Sequence, residues 1–393
     1  MEEQKKKLKV LQVGVVGCGA MAQGQHIPNI MKNPGLKLKW LCDVNKKQLD
    51  EIAKQYGVLH TTTNYSEVLN DPEIDFVVLA TTHSLRGKFI SEAAEKKKGV
   101  YVEKPMGSNS KEIGEILQSV RKSGIPFCVG HNRRSSPAVK DAFAILQKYK
   151  ANPKIPSWRL DRNSWLRPKL LEENHCQVLI RVNDDILTWK PWSFEDGMLL
   201  NEMAHFIDLA NLFMGEREPI NIYVIGSSRM DFTILIGYND GSVATLAHSG
   251  CGTLDYPKEL IEITYKGAMI AIDHSMEVRV AGIEGEPFRR TYPSPDPRVK
   301  TNKKGIEAFY ESALQTIQER IKQKNNEIFI GFPNKGHYEH LDQFAQCVRG
   351  LSPSPCDSLS GAKATMMVLK AIESSKIGLP VRISPDDYQI LSL

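Results

Sequence analysis

From Leu8 to about Pro126, short continuous apolar runs alternate with amphipathic stretches. In order they are VLQVGVV, a helical segment from Ala22, LKLKWLCDV, the helical NKKQLDEIAKQYG, DFVVLAT, a helical segment from Lys88 to Lys97, VYVEKP, a helix over Ser110–Ser123, and PFCVG. A strand that is apolar along its whole length, rather than at every second residue, has to be buried on both faces, and the intervening helices supply the cover. The alternation predicts an α/β fold built on a doubly wound parallel sheet.

Past a helix near Pro137 to Lys148 the pattern changes. Residues 151–195 are polar and aperiodic, carry Trp158, Trp165, Trp189 and Trp192, and are expected to form loops and short strands. GMLLNEMAHFIDLANLFMG then reads as one apolar helix closed by Gly215. NIYVIGSSR, DFTILIGY, SVATLAHSG, ELIEITYK, AMIAID and EVRVAG follow as strands, with hairpin turns at Asp240-Gly241 and Lys266-Gly267. An exposed loop from Pro293 to Lys304, a long helix from near Gly305 and two last helices ended by Gly350 and Gly378 complete the chain. Its 393 residues fit two domains. We place them at 1–134, the parallel-sheet domain, and 135–393, an α+β domain with a large open, mostly antiparallel sheet, whose final helices, 340–378, are free to pack back on the first domain.

Lys plus Arg exceeds Asp plus Glu by only 51 to 46, too even a balance to suggest a nucleic-acid partner. The basic N-terminus leads into an apolar run broken by Gln12 and glycines, which reads as a first strand and not as a signal peptide. No stretch has the ~20 apolar residues that cross a bilayer. A cytoplasmic chain with no membrane partner is expected. The seven cysteines show no C-x-x-C pair, so each is expected to be a reduced structural thiol.

Chemistry enters with Gly17-Cys18-Gly19-Ala20-Met21-Ala22, a G-x-G-x-x-A that follows a strand and opens a helix. Gly17 permits the tight turn, Gly19 lets backbone approach a pyrophosphate, and Ala22 allows close helix–strand packing, with the helix N-terminus toward the phosphates. Asp43 ends the second strand run 24 residues after Gly19, where a carboxylate accepts from both ribose hydroxyls. Together they predict a Rossmann domain that binds NAD. An aspartate there repels a 2′-phosphate, which puts NADP second, and Lys46 and Lys47 moderate the preference. Glu103-Lys104-Pro105 follows the strand GVYV; a lysine at such a carboxyl end faces the ligand crevice, and Pro105 stiffens the turn.

These motifs, with LCDVN, FVVLATTHSLRGKFISEAAEKKKGVYVEKPM, VGHNRRSSPAVK, the helix after Gly197 and the terminal IESSKIGLPVRI, resemble the Gfo/Idh/MocA family of sugar and cyclitol oxidoreductases. The resemblance implies that Lys104 lies near the transferring hydride. It also implies an Asp-x-x-x-His helix in the second domain, with both residues on one face. Here that register reads Asn201 to His205, with asparagine in place of the aspartate. His205 is the expected proton acceptor, Lys104 its partner at the oxygen, and Asn201 an orienting group.

Other departures concern Glu202, where relatives have an apolar residue, and Thr82 and Arg86, where they have Pro and His. Glu202 is open to either a substrate hydroxyl or an arginine; Asp208 is expected to pair structurally. Cofactor contacts are expected from Gly17, Gly19, Ala20, Met21, Ala22, Asp43, Thr81, Thr82, Glu103, Lys104 and Asn132. Substrate contacts are expected from Lys104, Arg133, Trp165, Glu202 and His205, with an ion pair as the alternative for Arg133. Tyr256, Trp189 and Trp192 are open to stacking on a sugar or to core packing. No metal is expected, and His337 and His340 are read as a surface helix start.

The reading is thus an NAD-dependent dehydrogenase acting on a secondary alcohol of a sugar, glycoside or cyclitol, as a homodimer or homotetramer. Two alternatives stay open. One is an NAD-dependent glycosidase, or self-recycling oxidoreductase, with tightly held cofactor and an extra base such as Glu202. The other is a non-catalytic NAD-binding regulator.

Overall fold

The computed structural model describes residues 9–189 and 197–387. Trp192 lies outside them. The chain separates into two compact units, one running through Asn132 and including His337–Met366, the other spanning Arg133–Gly336 and Met367–Pro385.

The first unit holds a six-stranded parallel sheet in the order β3-β2-β1-β4-β5-β6. Its strands are β1 (Leu11–Val16), β2 (Leu36–Cys42), β3 (His60–Thr62), β4 (Ile74–Leu79), β5 (Gly99–Val102) and β6 (Phe127–Val129). Every residue of β5 and β6 is buried, as continuous apolar runs require of a doubly covered sheet. The short β3 and the helix Tyr65–Asn70 are additions to the sequence reading. His60-Thr61-Thr62 carries no apolar run, because an edge strand of three residues needs only to pair with Trp40–Cys42.

After α1 (Ile27–Lys32), α2 (Lys46–Tyr56) and α3 (Tyr65–Asn70), helices α4 (His83–Glu95) and α5 (Ser110–Ser123) pack on each other. The helix after β1 opens with a wide turn, Ala22–His26, in which the Ile27 N–H reaches back five residues to the Ala22 carbonyl. Pro28 accounts for it: proline has no N–H to give the Gly24 carbonyl, and its ring would collide with that oxygen in a regular helix. The helix His337–Val348 belongs to this unit. His340 is fully buried, with Nε2 3.0 Å from the Val129 carbonyl and the ring edge-on to Tyr101, which corrects the surface-helix reading.

The second unit is organised by a nine-stranded mixed sheet, in which β8 (Pro219–Gly226), β9 (Phe232–Tyr238), β11 (Glu259–Tyr265), β12 (Ala268–Asp273), β13 (Glu277–Ala281), β14 (Arg289–Thr291) and β15 (Val381–Arg382) join two central strands, β7 (Cys176–Asn183) and β10 (Val243–Ser249), in the order β14-β13-β12-β11-β7-β10-β9-β8-β15. The central β7 runs parallel to β10, and the remaining pairs are antiparallel. An eight-residue central strand corrects the reading of loops and short strands over 151–195. Its inward residues Cys176, Val178, Ile180 and Val182 are buried, but the exposed Leu179 between them makes an apolar run that masks the alternation.

The apolar segment after Gly197 is two helices, Met198–Asn201 and Met203–Met214, interrupted at Glu202. The longer one packs against β7 and β10 and ends at Gly215, whose φ of 73° favours glycine. Five of the seven cysteines are buried and all are free; Cys251 is exposed. Among the described residues no helix is long and apolar enough to cross a membrane.

Candidate active site

In the first unit the chain reverses its winding between β1 and β4, and the loops leaving these two strands touch. Gly17 has φ of 86°, and a Cβ there would come within 2.6 Å of the Ala80 carbonyl oxygen, so only glycine serves. At Gly19 the opposite holds: a Cβ would meet nothing within 4 Å. The backbone at Gly19 therefore faces open space, which fits the approach of a pyrophosphate.

Asp43 stands one residue past β2. Its Oδ2 accepts the Cys18 N–H at 2.6 Å, and its Oδ1 accepts the Asn45 N–H at 2.8 Å. The carboxylate thus braces the glycine turn, and its remaining lone pairs are free for ribose hydroxyls. Lys46, one source of doubt about a 2′-phosphate, lies 3.2 Å from Asp50. The Thr81 hydroxyl, just past β4, is buried with no hydrogen-bond partner among the described residues. Such an orphan beside the glycine turn fits a contact with the dinucleotide.

Lys104 follows β5, with a cis peptide bond to Pro105. Beneath it, Glu103 is buried and accepts from His26 Nε2 at 2.8 Å. Burial would raise this carboxyl, but the hydrogen bond and charge of His26, with Lys104 and Arg86 nearby, hold it down at about 2. Arg86 is also buried: Nε and Nη2 donate to the Thr81 carbonyl at 3.2 and 2.9 Å, and Nη1 donates to the Pro105 carbonyl. Burial lowers its guanidinium to about 10, with Glu103 and Glu112 partly offsetting. Neither His26 nor Arg86 was among the expected site residues. The signal for His26 was its place in GQHIP, and for Arg86 its departure from the family pattern.

In the second unit Asn201 and His205 are both buried, on the two sides of the helix break. The Asn201 side chain donates to the Gly197 carbonyl at 3.2 Å, and the His205 N–H donates to the Glu202 carbonyl at 3.2 Å. Glu202 lies in a buried run of alternating charge. Asp184 contacts Lys258 at 2.6 Å, Lys258 contacts Glu202 at 2.9 Å, and Glu202 contacts Arg133 at 2.9 Å; Arg133 then meets Glu259 at 2.7 Å, and Glu259 meets Lys335 at 3.0 Å. The Arg133 guanidinium also lies 4.8 Å from the centre of the Phe206 ring.

Of the readings open for Arg133 and Glu202, the geometry shows the ion pair. Burial penalises Glu259, but Arg133, Lys335 and Lys258 outweigh it and keep this carboxyl well below the usual range. His274 accepts the Lys258 N–H through Nδ1 at 3.1 Å. Burial, then the Lys335 charge, pushes it down to about 3, so it stays neutral.

The other candidates have plainer places. Asp208 is paired with Arg134 at 2.6 Å, as a structural pairing requires. Trp165 is exposed with the Lys169 ammonium 4.9 Å from its ring. Trp189 donates to Asp184 at 3.0 Å, which ties it to the charge run. The exposed Tyr256 ring stacks under Arg181 at 5.2 Å.

A glycine turn at the switch point of a parallel sheet, an acid after the second strand and a lysine after the fifth define an NAD-binding oxidoreductase domain. Residues 11–131 match the profile described as "Oxidoreductase family, NAD-binding Rossmann fold", and residues 174–383 match "Oxidoreductase family, C-terminal alpha/beta domain". The chain belongs to the Gfo/Idh/MocA oxidoreductase family. It is 25% identical over 382 residues, 95% of this chain and 97% of the relative, to the uncharacterized oxidoreductase YrbE of Bacillus subtilis. It is also 33% identical over 133 residues, 34% of this chain and 39% of the relative, to a scyllo-inositol 2-dehydrogenase (NAD(+)) of Bacillus subtilis. Among solved structures, an oxidoreductase from Agrobacterium radiobacter in complex with NAD+, L-tartaric acid and magnesium has a TM-score of 0.71. It is 17% identical, with 95% of this chain and 98% of that one covered.

Proposed function

We propose that the protein is an NAD-dependent dehydrogenase of a secondary alcohol on a sugar, glycoside or cyclitol, with Lys104 and His205 handling the proton. The observation that carries this reading is the lysine turn after β5, tied through Glu103 to His26 of the helix that follows a glycine turn whose open side fits a dinucleotide. When bound, the nicotinamide supplies the hydride acceptor. His205 takes the hydroxyl proton, a task suited to an imidazole. Lys104 keeps its ammonium at the same oxygen and stabilises the charge that develops there. Asn201, held by the Gly197 carbonyl, orients the histidine's end of the helix. The Asp43 carboxylate supports NAD over NADP, because a 2′-phosphate would bring like charge against it.

Plain oxidation is favoured over oxidation followed by elimination. Elimination needs a further base, and the candidate, Glu202, is held between the cations Arg133 and Lys258, which makes it a weak proton acceptor. The scyllo-inositol relative supports a polyol substrate. Leu179, Leu235, Val243 and Met269, on β7, β9, β10 and β12, are all exposed, which supports a homodimer or homotetramer through this sheet.

The test is a panel of polyols, aldoses and glycosides scored by nicotinamide absorbance with NAD and with NADP. Lys104→Ala and His205→Ala should each lower kcat/KM by about 100-fold or more, as expected for groups that move a proton. Turnover in Lys104→Ala equal to that of the unaltered protein would refute the assignment. Free sugar released from a glycoside without added cofactor would establish hydrolysis instead.

A further inference from the structure

The pairing of β4 with β5 ends early. The last ladder contact is Leu79 with Val102, and the last backbone hydrogen bond between them runs from the Glu103 N–H to the Leu79 carbonyl at 3.0 Å. Beyond it the two chains diverge into loops, one carrying Thr81 and the other Lys104 and Pro105. Both loops are part of the proposed site, and the sheet no longer fixes their separation.

Arg86 supplies the next link. Its side chain comes from the first turns of α4 and is 5% exposed, and each arm of the fork has an assigned acceptor: Nε and Nη2 on the Thr81 carbonyl, Nη1 on the Pro105 carbonyl. A second brace lies alongside, where Glu112 of α5 accepts the Gly87 N–H at 3.0 Å and the Ser108 N–H at 2.7 Å. Arginine suits this place for a geometric reason: a planar guanidinium offers donors at fixed angles to two carbonyls, whereas a lysine ammonium is a point donor on a flexible stem. Among the described residues this buried cation donates to carbonyls alone, which is costly, and the nearby Glu103 carboxylate offsets part of that cost.

We propose that Arg86 is a positioning residue that staples the β4 and β5 loops together and thereby sets the place of the Lys104 ammonium. The proposal rests on the dehydrogenase reading for its catalytic consequence but not for its structural one. Loss of the fork lets the Pro105 turn drift, and a displacement of about 1 Å at a catalytic group costs on the order of 100-fold in rate.

The experiment compares the full-length protein with R86K, R86Q and R86G. All lysines are reductively methylated with a 13C label, and the Lys104 NMR signal is assigned by its loss in K104R. In R86K and R86Q the Lys104 signal should shift and kcat should fall about 10- to 100-fold, with KM for the alcohol changing much less. Millimolar guanidinium should restore kcat in R86G and leave K104A inactive. R86K with an unmoved Lys104 signal and unchanged kcat would overturn the proposal, as would R86G that guanidinium leaves unimproved while its melting curve matches that of the unaltered protein. Should R86K not fold, R86Q decides, since it retains a planar neutral donor. If the unaltered protein oxidises no alcohol in the panel, the dehydrogenase reading fails, and the Lys104 signal still decides the role of Arg86.

Discussion

His26 Nε2 lies 2.8 Å from Glu103 Oε1, and this buried contact ties the helix after the glycine turn to the turn that presents Lys104. The two residues are 77 apart in sequence, and both side chains are almost wholly enclosed. Glu103 ionises at about 2 in the folded chain against an ordinary 4.5, so between those values the unfolded chain binds more protons than the folded one. The stabilisation is therefore complete above about pH 5 and is lost as the pH falls toward 2. His26→Leu should cost about 1–3 kcal/mol at neutral pH, the penalty for a buried acceptor without its donor. Urea unfolding at a series of pH values checks this. The difference between the two proteins should shrink steadily below pH 5; a difference that stays constant down to pH 3 would show that Glu103 is not the group responsible.

The charge run through Glu202 makes a separate claim. Removing one member leaves a buried cation without compensation, which costs about 3–5 kcal/mol. Glu202→Gln should lose stability on that scale, because Arg133 and Lys258 both face it. Its kcat should fall by less than about tenfold, since a glutamine keeps the packing beside His205 and no proton passes through position 202. A loss of several thousandfold in kcat with unchanged stability would instead make Glu202 a base and revive the elimination route.

How much of this was readable beforehand follows from the range of the interactions involved. The Ser110–Ser123 helix was read to the residue, because Asn109 caps its first turn and Gly124 ends it in the left-handed region, both local signals. The glycine turn and Asp43 were equally local. The break at Glu202 was not: an unbroken apolar pattern predicts one helix, and the interruption coincides with ion pairs to Arg133 and Lys258, far away in sequence. Likewise β7 is central because β10 and β11 flank it, while its own polar residues face outward. Arg86 was noticed as a departure, but the carbonyls that give it a purpose belong to separate loops.

Asn201 stands where the family resemblance implies an aspartate, and its amide donates to the Gly197 carbonyl. Asn201→Asp removes that donor and places a negative charge four residues before His205, across the helix break. Negative charge stabilises imidazolium, so the histidine pKa should rise and the acid limb of the kcat/KM profile should move up by about one unit. Melting temperature should fall at the same time, because the new carboxylate faces a carbonyl oxygen. An acid limb that does not move would show that positions 201 and 205 do not communicate.

The two glycines of the dinucleotide turn should respond in opposite ways, and that contrast tests the cofactor site without requiring any substrate. Gly17→Ala forces a side chain into the left-handed region and against the Ala80 carbonyl at 2.6 Å, so the fold itself should lose about 1–3 kcal/mol. At Gly19 an added Cβ meets no protein atom within 4 Å, so the thermal stability of Gly19→Val should stay within about 0.5 kcal/mol of the parent. What the valine does fill is the open space in front of the turn. Affinity for NAD, read by calorimetry, should therefore drop by at least about tenfold in Gly19→Val, because the backbone can no longer approach the pyrophosphate. If Gly19→Val binds NAD as tightly as the parent, the dinucleotide does not lie across this turn, and Asp43 and Thr81 lose their assigned roles with it.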